Sequence, residues 1–291
     1  MAKEIAYILF FFLNGYCHAQ LISGHILSKD TNEPIPYANV VFQKARTGTY
    51  SDTKGFFQIY LSQVEHDTMI ISSIGHRSEK IPIKKIKDGG TYNYSLDKAI
   101  FDLQEVVVVP GTKLRPTKVL LGPEKEGNIG VSPLIGLEYC SFIENRYDRS
   151  VELESIIVKL KKRKKTKQIA DIRVKIYEYD SINDRPGKSL LNESMIIAPK
   201  NSNYTLKVNV SNKNITIPKE GICVGVEFIN GEENFQKNDK IGPLLRYSYS
   251  DGKELKTWTN YHNVGWKNGV FQYRNHKKAI PLINVEATVY L

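Results

Sequence analysis

Three sets of residues in this chain are of types that do chemistry: acids set into apolar runs, aromatic rings interleaved with amides, and a block of cations. In 222–229 the alternation places Ile222, Val224, Val226 and Phe228 on one face, with Glu227 on the other beside Cys223 and Gly225. In 283–290, Ile283, Val285, Ala287 and Val289 face inward and Glu286 outward. A glycosidase needs two carboxylates roughly 5–10 Å apart across its substrate, so Glu227 and Glu286 define the alternative reading, a glycan-directed hydrolase. Neither lies in a catalytic motif, and an acid on the outer face of a strand ordinarily meets solvent. The expectation is therefore no catalytic residue and no enzyme.

The aromatic set is Tyr247, Tyr249, Trp258, Tyr261, Trp266, Phe271 and Tyr273, with Asn260, Asn263 and Asn268 nearby. Exposed rings stack on pyranose faces while amides supply hydrogen bonds. This makes Trp258, Tyr261, Trp266, Tyr247 and Glu227 the candidate ligand-binding residues. The same rings suit a sandwich core, where aromatic area dominates packing. Leu245, Tyr247 and Tyr249 share one strand face, which fits a core as readily as a platform.

The cations are Lys159, Lys161, Lys162, Arg163, Lys164, Lys165 and Lys167. Lys161, Lys162, Arg163, Lys164 and Lys165 are candidates for gripping a polyanion such as lipopolysaccharide phosphate or an acidic glycan. As a solvated hairpin tip they would instead block edge-to-edge aggregation. No aromatics are interleaved to stack bases, so nucleic acid is not an expected partner. The net charge of +10 suits weak contact with an anionic envelope surface.

His25, His66, His76, His262 and His276 form no metal-ligand spacing, and no phosphate loop, nucleophile elbow or calcium loop occurs. No metal or cofactor is expected. Asp180-Ser181-Ile182-Asn183-Asp184 has the composition of a hairpin turn. Cys140 and Cys223 are either one disulfide or two buried thiols, and spacing does not decide between them.

These groups must be held by short strands. Runs of Ile, Val, Tyr and Phe bounded by Gly, Asn, Asp and Pro are strand signals, and no sustained 3.6-residue period occurs beyond the N-terminus. Residues 1–20 combine Lys3, the apolar run Ile5–Leu13 and Cys17-His18-Ala19, the pattern of a cleaved signal peptide. No later segment is long and apolar enough to span a bilayer as a helix. Strands are expected at 22–27, 38–42, 47–50, 56–61, 68–72, 76–83 and 92–96, the count of a small sandwich. Residues 98–133, rich in Gly, Pro and Lys, read as a strand and linker. A second sandwich is expected over 134–291, with strands including 156–160, 172–179, 205–210, 222–229, 244–249 and 283–290.

Ile22-Ser23-Gly24-His25-Ile26, Pro34-Ile35-Pro36-Tyr37-Ala38-Asn39-Val40 and Gly48-Thr49-Tyr50-Ser51-Asp52-Thr53-Lys54-Gly55-Phe56-Phe57 occur in that order. Together with Ile70-Ile71-Ser72-Ser73-Ile74-Gly75-His76, they resemble the carboxypeptidase-regulatory-like domain. The resemblance implies a transthyretin-like sandwich over 21–97, without peptidase activity, in a Gram-negative envelope protein. Leu103-Gln104-Glu105-Val106-Val107-Val108-Val109-Pro110-Gly111 resembles the segment that follows such domains in TonB-dependent receptors. The roughly 180 residues beyond it are too few for a large barrel of strands about 10 residues long. The second half is similar to that of uncharacterised bacterial envelope proteins that begin with the same domain, which suggests a jelly-roll-like sandwich. Together these readings predict an all-β protein of two tandem sandwiches with a binding or structural role. It is expected in the periplasm, at the outer membrane or at the cell surface, with a docking N-terminal module and a second sandwich that takes a glycan or an envelope protein. A purely structural subunit of a surface complex would instead show a large exposed apolar patch.

Overall fold

The computed structural model describes residues 21–87, 89–99, 115–229, 240–249, 256–273 and 277–291. The stretch at 1–20 read as a signal peptide and the Val106–Val109 segment lie outside them. The protein is nearly all β.

The first unit contains Leu21–Ser28 (β1), Asn39–Phe42 (β2), Thr47–Tyr50 (β3), Phe56–Tyr60 (β4), Thr68–Ser72 (β5), Glu79–Pro82 (β6) and Thr91–Leu96 (β7). A three-stranded sheet of order β4-β1-β7 faces a four-stranded sheet of order β3-β2-β5-β6. Alternation sets the packing: Ile22 and Ile26 of β1, Val40 and Phe42 of β2, Phe57 and Ile59 of β4, and Met69 and Ile71 of β5 fill the space between them. Strand β2 departs from the half-buried pattern, because all four of its residues are buried. Val40 and Phe42 face their own core, so Asn39 and Val41 must be covered from outside.

The stretch read as linker contributes Pro116–Leu121 (β8) and Ile129–Val131 (β9). Then follow Leu137–Ile143 (β10), Val151–Lys161 (β11), Gln168–Ile169 (β12), Asp171–Asp180 (β13), Arg185–Ser189 (β14) and Met195–Ile197 (β15). Next are Tyr204–Asn209 (β16), Thr216–Ile217 (β17), Ile222–Ile229 (β18), Ile241–Gly242 (β19) and Leu244–Tyr249 (β20). Thr257–Tyr261 (β21), Trp266–Asn268 (β22), Phe271–Tyr273 (β23), Lys277–Pro281 (β24) and Ile283–Tyr290 (β25) complete the chain. One sheet runs β14-β13-β18-β10-β21-β22, with β15 on β13. The other runs β23-β24-β20-β11-β25-β8, with β16 and β17 on β11 and β9 on β20.

Between the two sheets lies one apolar core, built from Ile156 and Val158 of β11, Ile172, Val174 and Ile176 of β13, Val224, Val226 and Phe228 of β18, and Val285, Ala287 and Val289 of β25. Strand β8 pairs with β25 from Pro116 to Leu121, so the second sandwich recruits residues that Gly and Pro composition had marked as linker. The alternation Leu121, Val119, Thr117 supplies the physical reason: Leu121 is buried and Val119 packs on the core.

Candidate functional site

The outer face of the β13-β18-β10-β21 sheet is not solvated at the end where the first unit sits. Strand β18 is buried along its whole length, so its outward residues are covered like its inward ones. Cys223 is covered by Trp258 of the same sheet, and Glu227 by the outer face of the β3-β2 pair of the first unit. Tyr50 Oη donates to Glu227 Oε1 at 2.7 Å, Asn39 Nδ2 to the His262 carbonyl at 2.7 Å, and Arg173 Nη2 to the Tyr37 carbonyl at 2.5 Å. Each bond joins the two units.

Beneath these contacts lies a closed ionic cluster. Registry places Arg173 opposite Glu227 and Glu227 opposite Glu138 across β13, β18 and β10, so their side chains share one face. Lys175 Nζ lies 2.9 Å from Glu138 Oε2 and 3.1 Å from Glu227 Oε2, and Arg173 Nη1 is 3.3 Å from the same Glu227 oxygen. Tyr177 Oη also donates to Glu138 Oε2, at 3.2 Å. Two cations thus balance two carboxylates, the condition under which buried charge is tolerated. Burial alone would raise the Glu227 carboxyl; Lys175 and Arg173, with the Tyr50 hydrogen bond, outweigh it and hold it at about 2. For Glu138 burial wins over Lys175, and its carboxyl is raised. Burial lowers the Lys175 ammonium, but the two carboxylates more than reverse this and leave it raised.

The keystone is a hairpin tip. Within the four-residue connection between β21 and β22, His262 and Asn263 have φ of 45° and 59°, the positive values of the central pair of a type I′ turn, which the Val264 amide closes by donating to the Tyr261 carbonyl at 3.0 Å. His262 is 2% exposed, and its Nδ1 lies 2.7 Å from Asn39 Oδ1. Because that oxygen can only accept, Nδ1 carries the proton and the neutral ring has its lone pair on Nε2. Burial pushes the imidazole down to about 4. Its ring sits against two glycines: a Cβ at Gly48 would fall 2.6 Å from His262 Cγ, and one at Gly136 would fall 2.1 Å from Nε2. Only a residue without a side chain fits at either place.

The candidate ligand residues are dispersed by this arrangement. Tyr247 lies in the sandwich core, its ring edge-on to Tyr139 at 6.3 Å. Glu227 is a member of the buried ionic cluster. Trp258 is buried against Cys140 and Cys223, and its Nε1 donates to the Asp184 carbonyl at 3.0 Å. Trp266 is half-buried, edge-on to Tyr177 at 5.4 Å on the outer sheet face. Tyr261 lies on the opposite face of the same sheet, because it pairs with Leu137 while Trp258 pairs with Cys140.

Glu227 and Glu286 do not form a carboxylate pair. They belong to different sheets, each pointing away from the shared core, so the sandwich separates them; Glu286 is engaged by Lys207 at 2.5 Å. Strand alternation had assigned both acids correctly to outer faces but carried no information that the first unit would cover one of them.

The basic block divides by alternation. Lys159 pairs with Glu126 at 2.8 Å, Lys161 Nζ donates to Asn128, and Arg163 Nη1 donates to the Ile241 carbonyl at 2.6 Å. Lys162, Lys164 and Lys165 are exposed at the tip. Residues 181–184 form the expected turn, with Asp180 Oδ1 accepting from the Asn183 amide. Cys140 and Cys223 are free, buried thiols on adjacent strands, and burial followed by the neighbouring Cys223 sulfur raises the Cys140 thiol well above its usual range. Among the described residues there is no cluster of three or more acids, histidines or cysteines able to hold a metal, and no helix long and apolar enough to cross a membrane.

Beside the hairpin tip opens a cleft of about 230 Å³. Arg46, from the turn between β2 and β3, forms one lip. Leu134, Leu137, Thr259, Tyr261, Val264, Gly265 and Lys267 form the rest. It is built from both units, contains one aromatic ring and two cations, and has no acid on its wall.

This fold and junction define an all-β protein whose N-terminal sandwich is locked onto a larger one. Residues 22–108 match the family model of the CarboxypepD_reg-like domain. Over 99 residues, 34% of the chain, the protein is 35% identical to the TonB-dependent receptor SusC of Bacteroides thetaiotaomicron, and it spans 9% of that receptor's length. Two solved structures from Bacteroides uniformis align at low similarity. One is a candidate carbohydrate-binding protein at 12% identity and TM-score 0.20, covering 93% of this chain and 98% of the other. The other is a DUF3823 family protein at 8% identity and TM-score 0.19, covering 94% and 99%.

Proposed function

We propose that this is a non-catalytic glycan-binding protein of the bacterial envelope, in which the regulatory-like module is a fixed part of the binding unit. The observation that carries this reading is the cleft at the junction, whose wall combines Arg46 of the first unit with Tyr261, Thr259 and Lys267 of the second. A ring with a hydroxyl and cations around an apolar floor suits the mixed character of a sugar: apolar on its C–H face, polar at its rim. The similarity of the first unit to part of a TonB-dependent receptor of Bacteroides thetaiotaomicron supports an envelope address. Against a hydrolase stands the separation of Glu227 and Glu286 onto opposite outer faces of the sandwich.

A glycan array probed with the leader-free protein and with Tyr261→Ala tests the reading. Retention of a defined set of glycans by the wild type, lost in a folded Tyr261→Ala, is expected. An array on which the wild type retains nothing refutes it.

A further inference from the structure

The cleft carries more than its shape. Arg46 and Lys267 both line it, both are exposed, and no carboxylate among the described residues pairs with either. This contrasts with Lys159, Arg246 and Lys256 elsewhere on the second unit, each of which pairs with an acid. Arg46 is also held at φ 54°, an uncommon conformation for a residue with a side chain, in a turn closed by its amide donating to the Phe42 carbonyl at 2.8 Å. Two like charges bordering one small cavity repel each other and favour an anion between them. The remaining wall excludes a bare inorganic ion as the best occupant: Tyr261, Leu137 and Val264 are half-buried and Leu134 is 54% exposed, so the cavity offers apolar area that only an organic ligand covers.

We infer that the junction cleft binds an acidic sugar residue of uronate type. Its carboxylate sits between Arg46 and Lys267, its pyranose face lies on the Tyr261 ring, and the Thr259 hydroxyl serves a ring substituent. The volume is below the roughly 300 Å³ at which drug-sized sites begin, which fits one monosaccharide unit of a longer chain. This inference rests on the glycan-binding reading and specifies the substrate class of the same site. It also gives the N-terminal module a direct role, since Arg46 is supplied by it.

The test is isothermal titration of the leader-free protein with galacturonate and glucuronate oligosaccharides, alongside matched galactose and glucose oligosaccharides. Arg46→Gln and Lys267→Gln are compared with the wild type. Both positions are exposed, and unchanged thermal unfolding of each variant establishes that it is folded. Binding of uronate oligomers, weakened at least about tenfold by either substitution and weakened further by salt, is expected. Equal binding of neutral and acidic oligomers, unaffected by the two variants, overturns the acidic-sugar inference while glycan binding stands. Absence of binding to all four, with an empty glycan array, overturns both. Uronate binding that persists unchanged in both variants places the anion elsewhere and overturns the inference.

Discussion

Glu227→Gln is the sharpest probe of the junction, because it changes the charge of a closed cluster while nearly preserving shape. In the native protein Glu138 and Glu227 balance Arg173 and Lys175, and Glu227 accepts from Tyr50 of the first unit. Glutamine leaves two buried cations facing one carboxylate. Breaking a buried pair by removing one partner costs about 3–5 kcal/mol, and the low end applies because an amide oxygen still accepts from Tyr50. On a urea slope of about 3 kcal/mol/M, a loss of about 3 kcal/mol moves the unfolding midpoint down by about 1 M. The control is Glu286→Gln, whose ion pair with Lys207 is about one-third and one-half exposed at its two ends and is therefore worth about 1 kcal/mol or less. Urea unfolding followed by tryptophan fluorescence reads Trp258 and Trp266, both on the sheet that carries the cluster. If Glu227→Gln unfolds at the same midpoint as Glu286→Gln, the cluster does not hold the two units together and the argument fails.

His262 makes the junction sensitive to acid. Its imidazole is at about 4 in the folded protein against 6.5 when free, so the unfolded chain binds the extra proton and stability falls as pH drops through that interval. The loss should reach about 2 kcal/mol by pH 5 relative to pH 7, and His262→Gln should flatten that slope in urea unfolding at successive pH values. Gly48→Ala forces a Cβ to within 2.6 Å of the His262 ring and should cost about 1–3 kcal/mol. In a His262→Ala background the same change should cost under about 0.5 kcal/mol, because its partner is gone. Native protein lacking residues 1–20 should not react with a maleimide at Cys140 or Cys223, whereas the same protein unfolded in urea should take up both labels. Rapid native labelling, or blocked thiols after unfolding, would contradict the two buried free sulfurs.

Alternation along single strands was readable from the residues alone, and it placed side chains correctly even where their surroundings were unexpected. The inward set Val224, Val226 and Phe228 and the outward Glu227 follow directly from a period of two, as do Val285, Ala287 and Glu286. Alternation within a strand cannot say what covers the outer face. Glu227 on an outer face predicts solvent unless another unit is docked there, and docking is a relation between residues 177 positions apart, as Tyr50 and Glu227 are. The same limit explains why Pro116–Leu121 read as linker: its pairing partner lies at the far end of the chain.

Two local signals did bear on the junction. Asn39 and Val41 alternate with Val40 and Phe42 in a strand, where an exposed face would favour charged or long polar residues, so a buried second face is implied by Val41. The second signal is Tyr261-His262-Asn263-Val264-Gly265. Histidine is tolerated at positive φ but is not the usual choice for a type I′ turn, which favours Asn-Gly or Asp-Gly. A turn that uses histidine there carries local strain of about 1 kcal/mol, and the compensation must come from outside the hairpin. Asn39 provides it, through the paired bonds to the His262 ring and carbonyl, and Gly48 and Gly136 clear the space. The hairpin that this fixes is the one that places Tyr261 and Lys267 on the cleft wall opposite Arg46. Locking the module and shaping the cleft are therefore one structural event, so loosening the His262 contact should weaken ligand binding along with stability.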